Sequence, residues 1–135
     1  MTPGANRHTE EEKRNLDTVR RWIDAYNTDV ARMVREFYAP DLVVRTMGAG
    51  TYTGSDHFLE IELAVLKAAP RRRVRIDQLH AAGNVVVAEL VLLNPDMRED
   101  WHLPLAAVLE FENGKIKRDR SYHNIGSAFP LWPGL

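Results

Sequence analysis

The chain has 135 residues, which suits a single domain with one hydrophobic core. Its 18 Lys and Arg residues nearly balance its 19 Asp and Glu residues, and the net charge of −1 gives no overall field that would attract nucleic acid or anionic lipid. The absence of cysteine excludes disulfides, thiol nucleophiles and cysteine-ligated zinc.

The sequence shows no targeting or membrane segment. No apolar run approaches the length of a membrane span, and the N-terminal arm MTPGANRHTEEEKRN contains no hydrophobic signal-peptide core. We therefore expect a cytoplasmic protein with one domain over residues 1–135. The one basic cluster, PRRRVR at residues 70–75, is interpreted as solvated charge that protects the start of an edge strand, with an anion site as the alternative.

The first third of the chain predicts two helices. EEEKR supplies the acidic residues that suit a helix N-terminus. The apolar stripe of this first helix consists of Leu16, Val19, Trp22, Ile23 and Tyr26. A second, shorter helix is expected after Thr28 or Asp29 as its cap, and APD ends it. The residues that this helix would bury are Val30, Met33, Val34 and Phe37.

The middle of the chain predicts a small β-hairpin followed by a third helix. The segments LVVRTM and GTYTG have strand character and are divided by Gly48 and Gly50. SDHFLEIELAVLKAAP then has helical character, with Ser55 expected as the cap and Pro70 ending the helix.

Beyond Pro70 the hydrophobic period changes from that of a helix to that of a strand. Four strands are predicted, in RRVRIDQLH, NVVVAELVLL, WHLPLAAVLEF and KIKRDRSYHN. The links between them are short, which favours an antiparallel meander. Helices followed by such a sheet make an α+β domain. A curved sheet would wrap around the helices and leave a pocket between the two layers.

The register of the last hairpin decides which side of the final strand faces the core. The core face of the preceding strand is formed by Trp101, Leu103, Leu105, Ala107, Leu109 and Phe111. A two-residue turn at Asn113 and Gly114 would pair Glu112 with Lys115, and it would place Arg118, Arg120 and Tyr122 beside that face.

A three-residue loop that includes Glu112 would instead pair Phe111 with Lys115. It would put Asp119 beside Ala107, Ser121 beside Leu105 and His123 beside Leu103. We favour this second register, because two arginines would have no anionic partner on the apolar row, whereas Asp119, Ser121 and His123 can hydrogen-bond among themselves. Polar groups in an apolar hollow are typical of a small-molecule pocket.

The segment VRRWIDAYNTDVARMVREFYAPDLVVRTMGAGTYTGSDHF, followed by a meander with FENGKIKRDRSYHN, resembles the SnoaL-like group of the NTF2-like superfamily. Polyketide cyclases, ketosteroid isomerases and limonene-epoxide hydrolase are relatives of that group. The resemblance covers nearly the whole chain, and FYAPD, YTG and NGKI are its most telling parts. It implies a cone-shaped α+β barrel, in which three N-terminal helices pack on a curved antiparallel sheet. It also implies a deep pocket and frequently a homodimer through the outer face of the sheet.

The known catalytic sets of these relatives do not carry over to this sequence. The Asp-Arg-Asp set of the epoxide hydrolases falls on Val91, Glu89 and Ser121. Thr46 occupies the place of the ketosteroid isomerase general base, and Trp22 that of its first oxyanion-hole tyrosine. Hydrolysis or steroid isomerisation by those mechanisms is therefore not expected. The same alignment implies that three other ionisable residues face inward: Glu89, Asp119 and His123.

Asp119 and His123 are the main catalytic candidates, with Glu89 assisting. Asp119 and His123 lie on one strand face about 13 Å apart, at about 3.3 Å per residue, so a ligand or Ser121 would have to bridge them. A buried carboxylate has a raised pKa and a histidine exchanges protons near neutrality, as acid–base catalysis requires. The alternatives are a solvated ion pair for Asp119, and a salt bridge or dimer contact on the outer face for Glu89.

The predicted substrate-binding residues are Trp22, Tyr26, Thr46, Trp101, Leu103, Leu105 and Ser121. The sequence has no histidine or carboxylate spacing of a metal site, so no metal is expected. It has no glycine-rich phosphate loop or cofactor fingerprint, so no cofactor is expected either.

The sequence supports two hypotheses about function. The first is a cofactor-independent isomerase, cyclase, dehydratase (a lyase) or epoxide hydrolase acting on an apolar small molecule. The second is a non-catalytic ligand-binding or assembly module of the same fold. Neither a nucleic acid nor a membrane is expected as a partner. A homodimer is predicted through an outward sheet face made of Val86, Ala88, Leu90, Leu92, Ala106 and Val108.

The C-terminal tail NIGSAFPLWPGL carries an unusual density of apolar residues for a chain end. Phe129, Leu131, Trp132 and Leu135 are expected to cover the pocket mouth or the partner subunit, with Gly126 giving the bend. A loosely ordered extension of the core is the alternative.

Overall fold

The computed structural model describes residues 7–46 and 50–124. Its helices are α1 (Glu10–Thr28), α2 (Val30–Phe37) and α3 (Ser55–Ala68). Its strands are β1 (Tyr38–Thr46), β2 (Gly50–Thr53), β3 (Arg73–Ala82), β4 (Val85–Leu93), β5 (His102–Glu112) and β6 (Lys115–Tyr122). The predicted α+β class is confirmed. No helix within the described ranges is long and apolar enough to cross a membrane. The tail residues Gly126, Phe129, Leu131, Trp132 and Leu135 lie outside these ranges.

Local signals in the sequence place the first two helices. Thr9 and Glu12 form a capping box at the start of α1, in which each side chain bonds the backbone N–H of the other residue. Asp29 caps α2 by accepting a hydrogen bond from the Arg32 N–H. The residues that α2 buries are the predicted Val30, Met33, Val34 and Phe37.

The predicted cap of α3 is wrong. Its N-cap is Gly54, whose φ of 94° lies in the region that glycine tolerates best, and no side chain caps the helix. Ser55 is already the first helical residue. The Gly54 N–H is bound instead by the Leu42 carbonyl at 2.7 Å, which ties the start of α3 to β1.

The six strands form one sheet in the order β2-β1-β6-β5-β4-β3. The meander from β3 to β6 is antiparallel, as predicted. However, β1 runs parallel to β6, so the sheet is mixed and the prediction of an antiparallel sheet throughout is wrong. The two strands are separated by a hairpin strand, α3 and three further strands, so no tight turn dictates their relative direction. β2 and β3 are the free edges, and the barrel that the resemblance implied is an open sheet in the described residues.

The helices cover one face of this sheet, with α1 against β3 and β4 and α3 against β1. The core between the layers is apolar. Its largest side chains that are almost fully buried are Met33, Leu42, Leu109, Ile116, Val19, Val34 and Val86. One part of the space between the layers is not filled, and it forms the cavity described below.

The hairpin between β5 and β6 has the two-residue turn, and the predicted three-residue loop is wrong. Glu112 pairs with Lys115, and Asn113 and Gly114 have φ values of 53° and 77°, as a turn of this length requires. A bulge follows, because Phe111 pairs with Ile116 but Glu110 pairs with Arg118, which leaves Lys117 as the extra residue.

The bulge sets the face of β6. Asp119 lies opposite Leu109 and Ser121 lies opposite Ala107, each two residues from its predicted partner. A two-residue turn alone would have brought Arg118 to the core face. Because the bulge adds one residue, Asp119 and Ser121 nevertheless lie on the core face, as predicted.

The predicted orientation of β4 is wrong. The residues assigned to its outer face, Val86, Ala88, Leu90 and Leu92, lie on the inner face, where the first three are buried. The outer face carries Val85, Val87, Glu89, Val91 and Leu93 instead. Both faces of this strand are apolar, so its sequence alone did not distinguish them.

Candidate functional site

A cavity of about 190 Å³ lies between the helices and the inner face of the sheet. Most of its wall is apolar, with a few polar groups, which is the composition of a small-molecule site. The apolar and aromatic lining residues are Trp22, Ile23, Tyr26, Met33, Tyr38, Val44, Phe58, Val74, Leu90, Leu92, Leu103, Leu105 and Ala107. The other lining residues are Thr46, Glu62, Asp119, Ser121 and His123.

Asp119 is the most deeply buried charged group of the cavity. It lies between Val44 of β1 and Leu109 of β5 in the sheet, and it is only 5% exposed. Its Oδ2 accepts a hydrogen bond of 3.0 Å from the Tyr38 hydroxyl. That hydroxyl accepts one from the Trp22 Nε1–H, also at 3.0 Å. The two aromatic residues therefore fix the position of the carboxyl group.

The other carboxylate oxygen of Asp119, Oδ1, is buried and has no hydrogen-bond partner within the described residues. Burial raises the pKa of Asp119 to about 6, against the opposing effect of the Tyr38 hydrogen bond, and the negative charge of Glu62 adds to the rise. At pH 7 roughly nine in ten such groups are ionised. A buried carboxylate oxygen that is ionised and unpaired is suited to accept a proton from a ligand.

Tyr38 is a member of this site that sequence analysis missed. Its ring packs edge-to-face against Trp22 and Phe58, with centroid distances of 6.3 and 5.2 Å. Burial and the charge of Asp119 raise the pKa of Tyr38 well above its ordinary value, so its hydroxyl remains a donor. The signal in the sequence was a tyrosine directly after the last buried residue of α2, in the segment FYAPD.

A second polar group in the cavity was also missed. Glu62 of α3 forms an ion pair with Arg72, with 2.6 Å between Oε2 and Nη2. The Arg72 Nε–H donates to the Tyr26 hydroxyl at 2.9 Å. The Arg72 side chain is 3% exposed, so the interpretation of PRRRVR as solvated charge is wrong for this residue. It is buried because a carboxylate and an aromatic ring compensate its charge.

The cavity brings together eight of the predicted site residues: Trp22, Tyr26, Thr46, Leu103, Leu105, Asp119, Ser121 and His123. No hydrogen bond between described residues joins Asp119 to Ser121 or His123. The His123 Nδ1 lies 3.1 Å from the Asn124 carbonyl oxygen. Because a carbonyl only accepts, this contact needs the proton on Nδ1 and leaves Nε2 available to a ligand.

Glu89 and Trp101 do not belong to the cavity. Glu89 lies on the outer face of β4 with half of its side chain exposed, and it bonds His80 at 2.6 Å. The inward orientation that the resemblance implied is therefore wrong, and the observed arrangement is a hydrogen-bonded pair with His80 on the outer face. Trp101 precedes β5 and lines a shallow outer pocket with Val91 and Leu93. Its assignment to the inner face extended the strand alternation one residue too far.

Residues 19–119 match the family model of the SnoaL-like domain. A comparison with curated proteins finds no significant match. Among solved structures, the chain is similar to a protein from Jannaschia sp. CCS1 that is proposed to be a SnoaL-like polyketide cyclase. That pair has 17% identity and a TM-score of 0.77, and the match covers 89% of this chain and 92% of that one.

Two further structures show the same similarity. One is a proposed ketosteroid isomerase from Kribbella flavida DSM 17836, with 16% identity, a TM-score of 0.73, and coverage of 89% of this chain and 84% of that one. The other is an NTF2-like protein of unknown function from Burkholderia xenovorans LB400, with 15% identity, a TM-score of 0.72, and coverage of 92% and 93%. At these identities the similarity shows the NTF2-like fold and nothing finer.

Proposed function

This chain belongs to the SnoaL-like domain family, and we propose that it is a cofactor-independent enzyme in which Asp119 moves a proton on an apolar small molecule. The observation that carries the proposal is the unpaired Oδ1 of Asp119, which is buried at a cavity wall while Oδ2 is held by Tyr38. The names of two structural neighbours, a proposed polyketide cyclase and a proposed ketosteroid isomerase, are in line with proton transfer at carbon.

The substrate is a compact molecule. An apolar cavity of ~150 Å³ holds one benzene ring, and the cavity here is slightly larger, at about 190 Å³. A substrate of one or two rings with an enolisable carbonyl group fits this space. Such a substrate matches the apolar wall, and its acidic carbon–hydrogen bond gives Asp119 a proton to remove.

In the proposed step, the Asp119 Oδ1 takes a proton from the carbon next to the carbonyl. The electron pair of the broken C–H bond moves into the carbonyl group and forms an enolate. Return of the proton to another carbon gives isomerisation, and attack of the enolate carbon on a second carbonyl gives cyclisation. The Tyr38 hydrogen bond to Oδ2 keeps Oδ1 directed at the substrate. His123 lines the same cavity, and its Nε2 can accept a hydrogen bond from the substrate.

Solvent deuterium exchange tests the proposal. We expect the protein to accelerate exchange of the α-hydrogens of 2-indanone in D₂O, followed by NMR, over the rate in buffer alone. Asp119→Asn should lower the protein-dependent rate by about a hundredfold or more. Asp77→Asn, which removes an exposed carboxylate on β3, is the matched control and should leave the rate unchanged. Binding of the ketone without any exchange above the buffer rate would identify a binding module and contradict the proposal.

We also propose a homodimer through the outer face of the sheet, now with the corrected residues. Val87 of β4 and Val108 of β5 are direct cross-strand partners on that face, and Ala106 lies beside them. These residues are half-buried within a single chain. A second copy would cover them and the neighbouring His80–Glu89 pair.

A further inference from the structure

The helical wall of the cavity carries a polar group of its own, which the proton-transfer step does not use. Arg72 follows α3 and binds two residues of this wall at once. Its Nη2 lies 2.6 Å from Glu62 Oε2, and its Nε–H donates to the Tyr26 hydroxyl at 2.9 Å. Its guanidinium carbon lies 4.7 Å from the centroid of the Tyr26 ring. Glu62 and Tyr26 are therefore held in fixed positions at the cavity surface.

Each of these two side chains has hydrogen-bonding capacity that the described residues leave unused. Glu62 Oε1 accepts no hydrogen bond from them, although the Glu62 side chain is only 14% exposed. The Tyr26 hydroxyl accepts from Arg72, but its own proton is not donated to any described residue. The wall thus offers one acceptor and one donor beside each other.

The charges of the group support these roles. Burial raises the pKa of Glu62, but the ion pair with Arg72 opposes that rise and favours the carboxylate. Burial raises the pKa of Tyr26 to about 12, so the hydroxyl keeps its proton at neutral pH. A ligand group that both donates to Glu62 Oε1 and accepts from the Tyr26 hydroxyl uses this remaining capacity.

We propose that Glu62 and Tyr26 bind a hydroxyl group of the substrate. A hydroxyl donates to Glu62 and accepts from Tyr26 through one oxygen atom. A carboxylate would be repelled by Glu62, a ketone would leave Glu62 unpaired, and an ammonium group could not accept from Tyr26. The inference rests on the proposed function in one respect. It makes the substrate a hydroxylated ketone, anchored at the helical wall while Asp119 acts from the sheet wall.

Two probes that differ only in a hydroxyl group test the inference, namely 5-indanol and indane. We expect the wild-type protein to bind 5-indanol at least about tenfold more tightly, the usual effect of a hydrogen bond to a charged group. Tyr26→Phe keeps the ring over Arg72 but lacks the hydroxyl, and it should reduce this preference by about threefold or more, the effect of losing one neutral hydrogen bond. Glu62→Gln should also reduce the preference in the folded protein, because it replaces a charged acceptor with a neutral one. Its folding must be checked, because the substitution leaves the buried Arg72 without its counter-charge.

Asp119→Asn separates this inference from the proposed function. It should abolish deuterium exchange of 2-indanone and leave the preference for 5-indanol intact. Loss of the preference in Asp119→Asn would mean that the hydroxyl binds at Asp119, and it would overturn the inference. A wild-type protein without a preference, or a full preference retained in Tyr26→Phe, would overturn it as well. The results for the wild-type protein and for Tyr26→Phe do not depend on whether deuterium exchange occurs.

Discussion

Replacement of Asp119 by Asn should change how the stability of the protein depends on pH. Burial raises the pKa of Asp119 from its ordinary value of 3.8 to about 6. The folded protein therefore keeps this proton at pH values where the unfolded chain has lost it. The resulting contribution to stability is fully present below pH 3.8 and is lost as the pH rises through about 6.

The size of the effect follows from the same two values. At 1.36 kcal/mol per pH unit, the whole rise corresponds to roughly 3 kcal/mol. Asparagine has the same shape, retains an oxygen that accepts the Tyr38 hydrogen bond, and does not titrate. Any cost of its buried amide is constant with pH. The free energy of unfolding of Asp119→Asn, measured relative to wild type, should therefore increase by roughly 2–3 kcal/mol from pH 4 to pH 7. This corresponds to roughly 10 °C in Tm.

Urea unfolding or calorimetry of both proteins from pH 4 to pH 8 measures this difference directly. Glu62 and all other carboxylates are present in both proteins, so their contributions largely cancel. Asp41→Asn is the control, because an exposed ion pair with Lys117 lowers the pKa of Asp41 and its small effect should have the opposite sign. A difference between wild type and Asp119→Asn that stays constant over this range would refute the account of the buried carboxylate.

Three further results are expected. Tyr38→Phe removes a hydrogen bond that lowers the pKa of Asp119, so the pH profile of the exchange rate should move to higher pH. The free energy of unfolding should fall by about 1–2 kcal/mol, as measured by urea unfolding. Val108→Lys on the outer face should convert a homodimer to a monomer in light scattering, and a wild-type monomer at all concentrations would contradict the dimer. Truncation after Ser127 should weaken binding of 5-indanol if the tail covers the cavity, and unchanged affinity and stability would dismiss that role.

The last strand shows which features of the fold could be predicted from the sequence and which could not. Its inner face was predicted, but from the wrong turn. A three-residue loop and a two-residue turn followed by a bulge each have one residue more than a two-residue turn alone, so both bring the same side of the strand to the core. Nothing in KIKRDR marks Lys117 as the extra residue. The distinction is made by tertiary packing, which buries both Ile116 and Asp119 although they are three residues apart.

The composition of the site was predictable only where residues alternate along a strand or repeat along a helix. Leu103, Leu105 and Ser121 follow such a pattern. The partners of Asp119 and Tyr26 do not, because Tyr38 is 81 positions from Asp119 and Arg72 is 46 positions from Tyr26. Glu62 and Arg72 have the polar character of surface residues in the sequence, and only their mutual compensation explains their burial.

The pH dependence of kcat/KM for exchange of 2-indanone shows whether Asp119 removes the proton from the substrate. This parameter reports ionisations of the free enzyme. We expect kcat/KM to rise with an apparent pKa of about 6, the value expected for buried Asp119, and the protein-dependent rate to fall by about a hundredfold or more in Asp119→Asn. A wild-type rate that does not change between pH 5 and pH 8, or an Asp119→Asn rate equal to wild type, would contradict it.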